Sequence, residues 1–159
     1  MSFLYYLILI VLIIYIYSYY NYPRNISIIQ TNLDRLNYDM LLEKQPLVIE
    51  NNKTDLDQLK DNLFNMTISC LFYIEDTEEW QNNRYKYLVI QSIGDCEILI
   101  YSPFKKIIDG LPDNNEKLIN IQIKNGQSLI LPFHWKYYIE KNNKFNCLGI
   151  HNLITYFLP

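Results

Sequence analysis

Two stretches decide the fold of this chain: YLVIQSIGDCEILIYSP, residues 87–103, and GQSLILPFHWKYYI, residues 126–139. Each contains two short runs rich in Ile, Leu, Val and Tyr, separated by a turn with Gly94 in the first stretch and Pro132 in the second. Short apolar runs bounded by Gly, Pro and Asn are typical of β-strands. The two stretches therefore predict four strands of a β domain.

The segments on either side extend this pattern. Further strands are predicted in MTISCLFYI (66–74), KLINIQI (117–123) and CLGIHNLITYF (147–157). QPLVIE (45–50) predicts one more strand, placed between two short amphipathic helices that are carried by Leu33, Leu36, Met40 and Leu41 and by Leu56, Leu59, Leu63 and Phe64. Two helices followed by a series of strands predict an α+β fold that is mainly β, with a double-sheet barrel as its body.

The front of the chain has a different character. Residues 3–20, FLYYLILIVLIIYIYSYY, carry no charge, and the first charged side chain is Arg24. As a helix this run is about 27 Å long, close to the ~30 Å of a bilayer core, and its terminal tyrosines favour the headgroup region. We predict a single-pass membrane anchor at 3–20, a juxtamembrane linker at 21–32 and a globular domain at 33–159. The alternatives are a cleaved signal peptide and a buried core helix, and the few flanking charges leave the orientation open.

Composition excludes several function classes. The chain has 159 residues, one domain's length, and a net charge of -3 without a run of Lys or Arg. We therefore expect no nucleic-acid partner. Its three cysteines form no C-x-x-C pair, so neither a disulfide framework nor a zinc site is predicted. Abundant Ile, Asn, Tyr and Lys without any Ala indicate an AT-rich genome, such as that of a large DNA virus or a microbial eukaryote.

The order and spacing of these segments resemble the cupin-like JmjC family, most closely the asparaginyl-hydroxylase branch of the iron- and 2-oxoglutarate-dependent oxygenases. The family pattern N-L-x-x-Q-x-x-G-x-K-x-x-x-L-x-P-P is matched at Gln91, Gly94, Leu99 and Pro103. The pattern G-D-x-x-x-I-P-x-x-W-x-H-x-V is matched at Gly126, Leu131, Pro132, Trp135 and Ile139. With QPLVIE and Asn152 as flanking matches, the resemblance runs from Leu36 to Leu158. It implies a double-stranded β-helix, the cupin or jelly-roll barrel.

The resemblance also indicates where the family's chemistry would lie. Two His and one carboxylate hold Fe(II) in these oxygenases, and their positions fall on Gln81, Asn83 and Tyr137. The position of the Lys that pairs with 2-oxoglutarate falls on Cys96, which offers no cation. All four positions are changed, so the resemblance implies no catalytic residue, no metal and no cofactor. The four side chains are expected to converge in one small polar cavity, with two further pocket candidates, Asn152 and Trp135.

A rebuilt metal site is the alternative interpretation. The chain has only two histidines, His134 and His151, so a displaced iron site would need both of them and a carboxylate from Glu75, Asp76, Glu78 or Glu79. We expect instead that both histidines lie at surface or edge positions and that the acidic run 75–79 is a solvated loop.

Three functional hypotheses follow from the sequence. The favoured one is a membrane-anchored pseudoenzyme, a catalytically inactive cupin-like domain that serves as a binding or structural module for a protein partner. The second is an oxygenase with displaced ligands that uses Fe(II) and 2-oxoglutarate. The third is an anchored structural protein of a membrane or virion with another β fold.

Overall fold

The computed structural model describes residues 2–23, 25–50, 56–63, 67–74, 77, 79–103, 107–108, 111–112, 118–140, 144–152 and 155–156. Its helices are α1 (Ser2–Tyr20), a 3-10 helix (Leu33–Arg35), α2 (Tyr38–Leu42) and α3 (Leu56–Leu63). Its strands are β1 (Ile29–Thr31), β2 (Leu47–Ile49), β3 (Ile68–Ile74), β4 (Gln81–Asn82), β5 (Tyr87–Ser92), β6 (Cys96–Tyr101), β7 (Ile107–Ile108), β8 (Leu111–Pro112), β9 (Ile119–Ile123), β10 (Ser128–Pro132), β11 (Lys136–Ile139) and β12 (Phe145–His151). The described chain is mainly β, as predicted.

The strand order identifies the architecture. The larger sheet has the order β1-β2-β10-β5-β12-β3, and the smaller sheet has the order β4-β11-β6-β9. Without β1 and β2, which extend one edge of the larger sheet, each sheet has four strands. Strands β3 to β6 alternate between the two sheets along the chain, and so do β9 to β12. This is the order of a double-stranded β-helix, or jelly roll, so the predicted cupin-like barrel is confirmed.

Strands β2, β5 and β10 of the larger sheet are buried on both faces, whereas β3 at its edge is partly exposed. On β5, Leu88 and Ile90 point into the barrel core between the two sheets. Their neighbours Tyr87 and Val89 belong to a second core, in which Leu41 of α2 and Leu59 of α3 cover the outer face. Because side chains alternate along a strand, a sheet covered on both sides needs apolar residues at every position. This double burial explains the continuous apolar runs in the sequence.

The segment before β2 is more structured than the sequence indicated. Residues 21–32, predicted to be a linker, contain β1, which pairs parallel with β2. Tyr22 is buried, and its hydroxyl donates to the carbonyl of Phe133 at 2.7 Å. A three-residue strand is too short to show a period.

The first predicted helix is split into the 3-10 helix and α2. The break lies at Asn37, whose side chain accepts a hydrogen bond from the Met40 amide at 3.0 Å and caps α2. The second predicted helix corresponds to α3, but its expected last residue, Phe64, lies outside the described residues.

Helix α1 covers the uncharged run. Every side chain described in it, from Leu4 to Tyr17, is exposed. The helix is connected to the barrel through Tyr15, whose hydroxyl lies 3.2 Å from the side-chain nitrogen of Asn152. Among the residues that the structure describes, no helix combines the length and the apolar content needed to cross a bilayer. The transmembrane helix therefore stays a prediction.

Gly149 of β12 should not tolerate a side chain, because a Cβ at this position would overlap the ring of Tyr85. That ring cannot move aside easily, since it stacks on Phe72 at 5.4 Å and contacts His151 at 4.7 Å between ring centroids. We expect Gly149→Ala to lower the free energy of unfolding by about 1–3 kcal/mol, measured by urea denaturation. Gly94→Ala is the matched control, because a Cβ there meets no atom within 4 Å. Equal stability of the two variants would contradict this account of the packing.

Candidate functional site

The three positions that correspond to the family's metal ligands lie around strands β4 and β11. Gln81 and Tyr137 are direct partners in the pairing of these strands. Asn83 follows β4, and its backbone N–H donates to the carbonyl of Trp135, just before β11, at 2.8 Å. The structure thus brings these positions to one region of the smaller sheet, but their environments differ. Asn83 and Tyr137 are 1% and 7% exposed, whereas Gln81 is exposed.

The side chain of Asn83 holds the turn between β10 and β11 through three hydrogen bonds. Its amide nitrogen donates to the carbonyls of Leu131, at 2.9 Å, and Pro132, at 2.8 Å. Its oxygen accepts the backbone N–H of Tyr85 at 2.9 Å. A primary amide has two N–H donors, and both are committed here. The position that resembles a metal-binding carboxylate is therefore a structural clamp.

The turn that Asn83 clamps places His134 in a constrained conformation. His134 has a φ of 63°, in the left-handed region that few non-Gly residues adopt. Its backbone N–H donates to the carbonyl of Asn83 at 2.8 Å, which fixes the turn from the other side. Burial lowers the pKa of His134, and the nearby charge of Lys136 lowers it further. The turn position agrees with the expectation that this histidine lies at an edge of the sheet.

Gln81 and Tyr137 offer little to a cation. The Gln81 side-chain nitrogen lies 3.4 Å from the carbonyl of Glu79, at the surface. Tyr137 belongs to the barrel core. Burial raises the pKa of Tyr137 well above its usual value, with smaller contributions from Cys147 and Tyr85. The phenol is therefore neutral at ordinary pH and supplies no negative charge for a metal ion.

Cys96 lies apart from this region. Tyr137 pairs with Ile100 on β6, and Cys96 is four residues farther along that strand, about 13 Å away. Its sulfur contacts the hydroxyl of Ser92 at 3.1 Å. Cys96 lines a groove of about 820 Å³ together with Glu97, Asn120 and Gln122 of β6 and β9. Gln81, Asn83 and Tyr137 do not line this groove, so the four positions do not share it.

The two further pocket candidates have structural contacts. Trp135 is 1% exposed, and its ring N–H donates to the carbonyl of Lys44 at 3.2 Å. Asn152 follows β12, and its side-chain oxygen accepts the N–H of Thr155 at 2.9 Å. Trp135 thus lies beside Asn83, while Asn152 caps a helical turn near the end of α1.

The histidines do not form a rebuilt site with the described acidic residues. The ring of His151 contacts Tyr85 and Tyr156, at 4.7 and 5.9 Å. Among the described residues there is no group of three or more His, Cys, Asp or Glu side chains arranged to hold a metal ion. Glu75, Asp76 and Glu78 lie outside those residues, and Glu79 is exposed.

A second cavity, which the sequence did not indicate, lies where α1 meets the barrel. It has a volume of about 190 Å³ and is lined by tyrosine and lysine side chains from separate segments: Tyr15, Tyr22, Tyr38, Lys44, Lys86 and Tyr87. We call it the tyrosine–lysine cavity. Leu42, Pro132 and Phe133 complete its lining. These residues come from distant parts of the chain, so no local motif could have revealed the cavity.

Comparisons with known proteins add only distant likenesses. No protein-family model and no curated protein matches this chain. Among solved structures, it is similar to Streptomyces albus HEPD with 2-hydroxyethylphosphonate and Fe(II) bound, with 12% identity and a TM-score of 0.35 over 57% of this chain and 19% of that chain.

It is also similar to two dTDP-4-dehydrorhamnose 3,5-epimerases, each with 8% identity and a TM-score of 0.35. The match covers 64% of this chain and 62% of the Bacillus anthracis enzyme. For the Elizabethkingia anophelis enzyme it covers 68% of this chain and 66% of that chain. Likeness at this level carries no argument, so the fold assignment rests on the strand order.

Replacing Asn83 should destabilise the domain. Asn83→Ala removes the donors of two buried carbonyls, and we expect the free energy of unfolding to fall by at least about 2 kcal/mol. Asn83→Asp should be at least as damaging, because a carboxylate cannot donate to these carbonyls. Both are measured by urea denaturation. Asn82→Ala and Asn82→Asp, at the exposed neighbouring position, are the controls and should change stability by less than about 0.5 kcal/mol. Full stability of Asn83→Asp would refute the clamp.

Proposed function

We propose that this chain is a catalytically inactive, JmjC-like cupin domain that acts as a binding or structural module at a membrane. The observation that carries the proposal is the Asn83 clamp. Three hydrogen bonds hold the Asn83 side chain against the turn between β10 and β11, where both of its N–H donors and one lone pair of its oxygen are used. The residue therefore supports the fold where the family places a ligand.

The neighbouring positions support the same conclusion. Gln81 is exposed, and Tyr137 is a buried phenol whose pKa is raised by burial. The iron of non-haem Fe(II) oxygenases is held by imidazole and carboxylate ligands, and none of the three positions supplies either group. Cys96, at the position of the co-substrate lysine, cannot form an ion pair with a 2-oxoglutarate carboxylate. An oxygenase would thus lack both its metal site and its co-substrate site.

Descent from the JmjC branch is proposed from the residues that match its patterns. These residues lie on β5, β6, β10 and β11 or within two residues of their ends, and β10 pairs with β5 while β11 pairs with β6. The two matched patterns therefore lie on strands that are neighbours in the two sheets. In this interpretation the barrel is retained while the ligands have been replaced by residues that stabilise it.

Membrane association is proposed from helix α1. Its described side chains, from Leu4 to Tyr17, are exposed, although burying a large apolar side chain gains about 1.5–3 kcal/mol. A helix satisfies its own backbone hydrogen bonds, so it can enter lipid without leaving polar groups unpaired. Exposed apolar surface of this extent marks an interaction site, and an uncharged helix fits lipid.

Iron reconstitution tests the inactive-domain proposal. The purified full chain, incubated anaerobically with Fe(II), should retain far less than one iron per chain and should not decarboxylate 2-oxoglutarate above a no-protein control. The physical reason is the absence of imidazole and carboxylate ligands at the family positions. Stoichiometric iron with 2-oxoglutarate turnover would overturn the proposal. Loss of both in His134→Ala or His151→Ala would then favour the oxygenase with displaced ligands.

Vesicle flotation tests the membrane proposal. Full-length protein should float with phosphatidylcholine vesicles and resist alkaline extraction. An Arg at the centre of a membrane helix costs about 2.5 kcal/mol, so Ile10→Arg should weaken partitioning by at least about tenfold. Leu118→Arg is the control, since Leu118 is an exposed apolar residue outside α1. Unchanged flotation of Ile10→Arg, or an equal loss with Leu118→Arg, would count against insertion through α1.

A further inference from the structure

We propose that the tyrosine–lysine cavity binds the phosphate group of an anionic membrane lipid, with Lys44 and Lys86 as its cationic partners. The inference rests on the proposed membrane function, because it places the cavity at the level of the lipid headgroups. Tyr15, in the last part of α1, and Tyr22, just after it, both line the cavity. If α1 enters lipid, its C-terminal end and this cavity lie at the membrane–water interface, where tyrosine is favoured.

The charges of the cavity favour an anion. The cavity is lined by two cationic side chains, Lys44 and Lys86, and by no Asp or Glu among the described residues. Lys86 donates to the hydroxyl of Tyr38 at 2.9 Å. An ammonium group carries three donors, so this bond leaves Lys86 able to donate to a ligand. Lysine binds phosphate as a point charge, and two lysines suit the charge of a phosphate monoester, about −1.5 to −2 at pH 7.

The backbone of Lys44 is a second, independent observation. Lys44 follows α2 with a φ of 54°, a conformation that glycine or asparagine usually supplies at a helix C-terminus. Such conformations in other residues cluster at functional sites. Burial also lowers the pKa of Lys44, so a bound anion would stabilise its charged form. The Lys44 ammonium group donates to the carbonyl of Asn21 at 2.7 Å, which holds its charge beside the cavity.

The walls of the cavity are already in place. The Tyr87 hydroxyl donates to the carbonyl of Leu41 at 3.2 Å, and the Tyr22 hydroxyl donates to the carbonyl of Phe133 at 2.7 Å. The two ammonium groups lie over the tyrosine rings: Lys44 is 5.1 Å from the centre of Tyr22, and Lys86 is 5.3 Å from the centre of Tyr87. At about 190 Å³ the space admits a group larger than a single water. The apolar part of the lining, formed by Leu42, Pro132 and Phe133, suits the beginning of a lipid acyl chain.

The test uses the full chain in neutral detergent micelles and measures binding by titration calorimetry. Three ligands are compared: short-chain phosphatidic acid, short-chain phosphatidylcholine and inorganic phosphate. We expect phosphatidic acid to bind at least about tenfold more tightly than either of the others. The double variant Lys44→Gln/Lys86→Gln should lose at least about tenfold in affinity for phosphatidic acid, since each lysine near a lipid surface contributes about fivefold.

Two variants separate binding from folding and from net charge. Lys124→Gln/Lys144→Gln removes the same charge from two exposed positions that do not line the cavity and should bind phosphatidic acid as the wild type does. Lys44→Gly relieves the positive φ, which offsets the loss of the Lys44 contacts with Asn21 and Tyr22, so the melting temperature should stay close to that of the wild type while phosphatidic acid binding weakens. A stable Lys44→Gly variant with unchanged binding would overturn the role of Lys44.

Other outcomes separate this inference from the membrane proposal. Flotation with pure phosphatidylcholine vesicles but no preference for phosphatidic acid would refute the lipid-phosphate site and leave the membrane proposal standing. Phosphatidic acid binding without flotation would refute membrane insertion alone. Inorganic phosphate bound as tightly as phosphatidic acid would overturn the lipid assignment in favour of a soluble phosphate ligand.

Discussion

Burial of strands β2, β5 and β10 on both faces of the larger sheet is the constraint on which the rest of this domain depends. One face packs against the smaller sheet, and the other packs under α2 and α3. Strands β2, β5 and β10 therefore have little solvated surface on which they could present polar catalytic groups. Polar residues that enter the barrel must find partners there, because an unpaired buried polar group is costly. Asn83 satisfies this requirement by bonding the chain at the turn between β10 and β11.

Asparagine at position 83 makes contacts in this packed barrel that a carboxylate could not make. An asparagine carries donors that a carboxylate lacks, and here those donors connect β4 to the last residues of β10. The connection lies next to Trp135, whose ring N–H reaches Lys44 in the helical layer. The region around β4 and β11 is thus part of the packing between the barrel and its N-terminal cover.

The sequence predicted the barrel because its apolar runs and turn residues are local signals. The runs around Leu88 and Leu129 have the length and composition of strands, and Gly126 lies in a tight turn with a φ of 82°. Strand β1 and the burial of Tyr22 were missed because they depend on pairing with β2 and contact with Phe133, which no local pattern encodes. The environments of Asn83 and Cys96 were missed for a related reason. Matching a family pattern shows which residue occupies a position. It does not show that Asn83 bonds the turn between β10 and β11, or that Cys96 lies far along β6 from Tyr137.

The junction between α1 and the barrel also has a mechanical consequence. Only Asn21 separates the end of the helix from Tyr22, which is anchored in the core through Phe133. Strand β1 then fixes the chain again at the edge of the larger sheet. This short connection leaves α1 little freedom to change its orientation relative to the barrel. A change in the tilt or rotation of the helix would therefore act on the carbonyl of Phe133, in the turn that Asn83 holds.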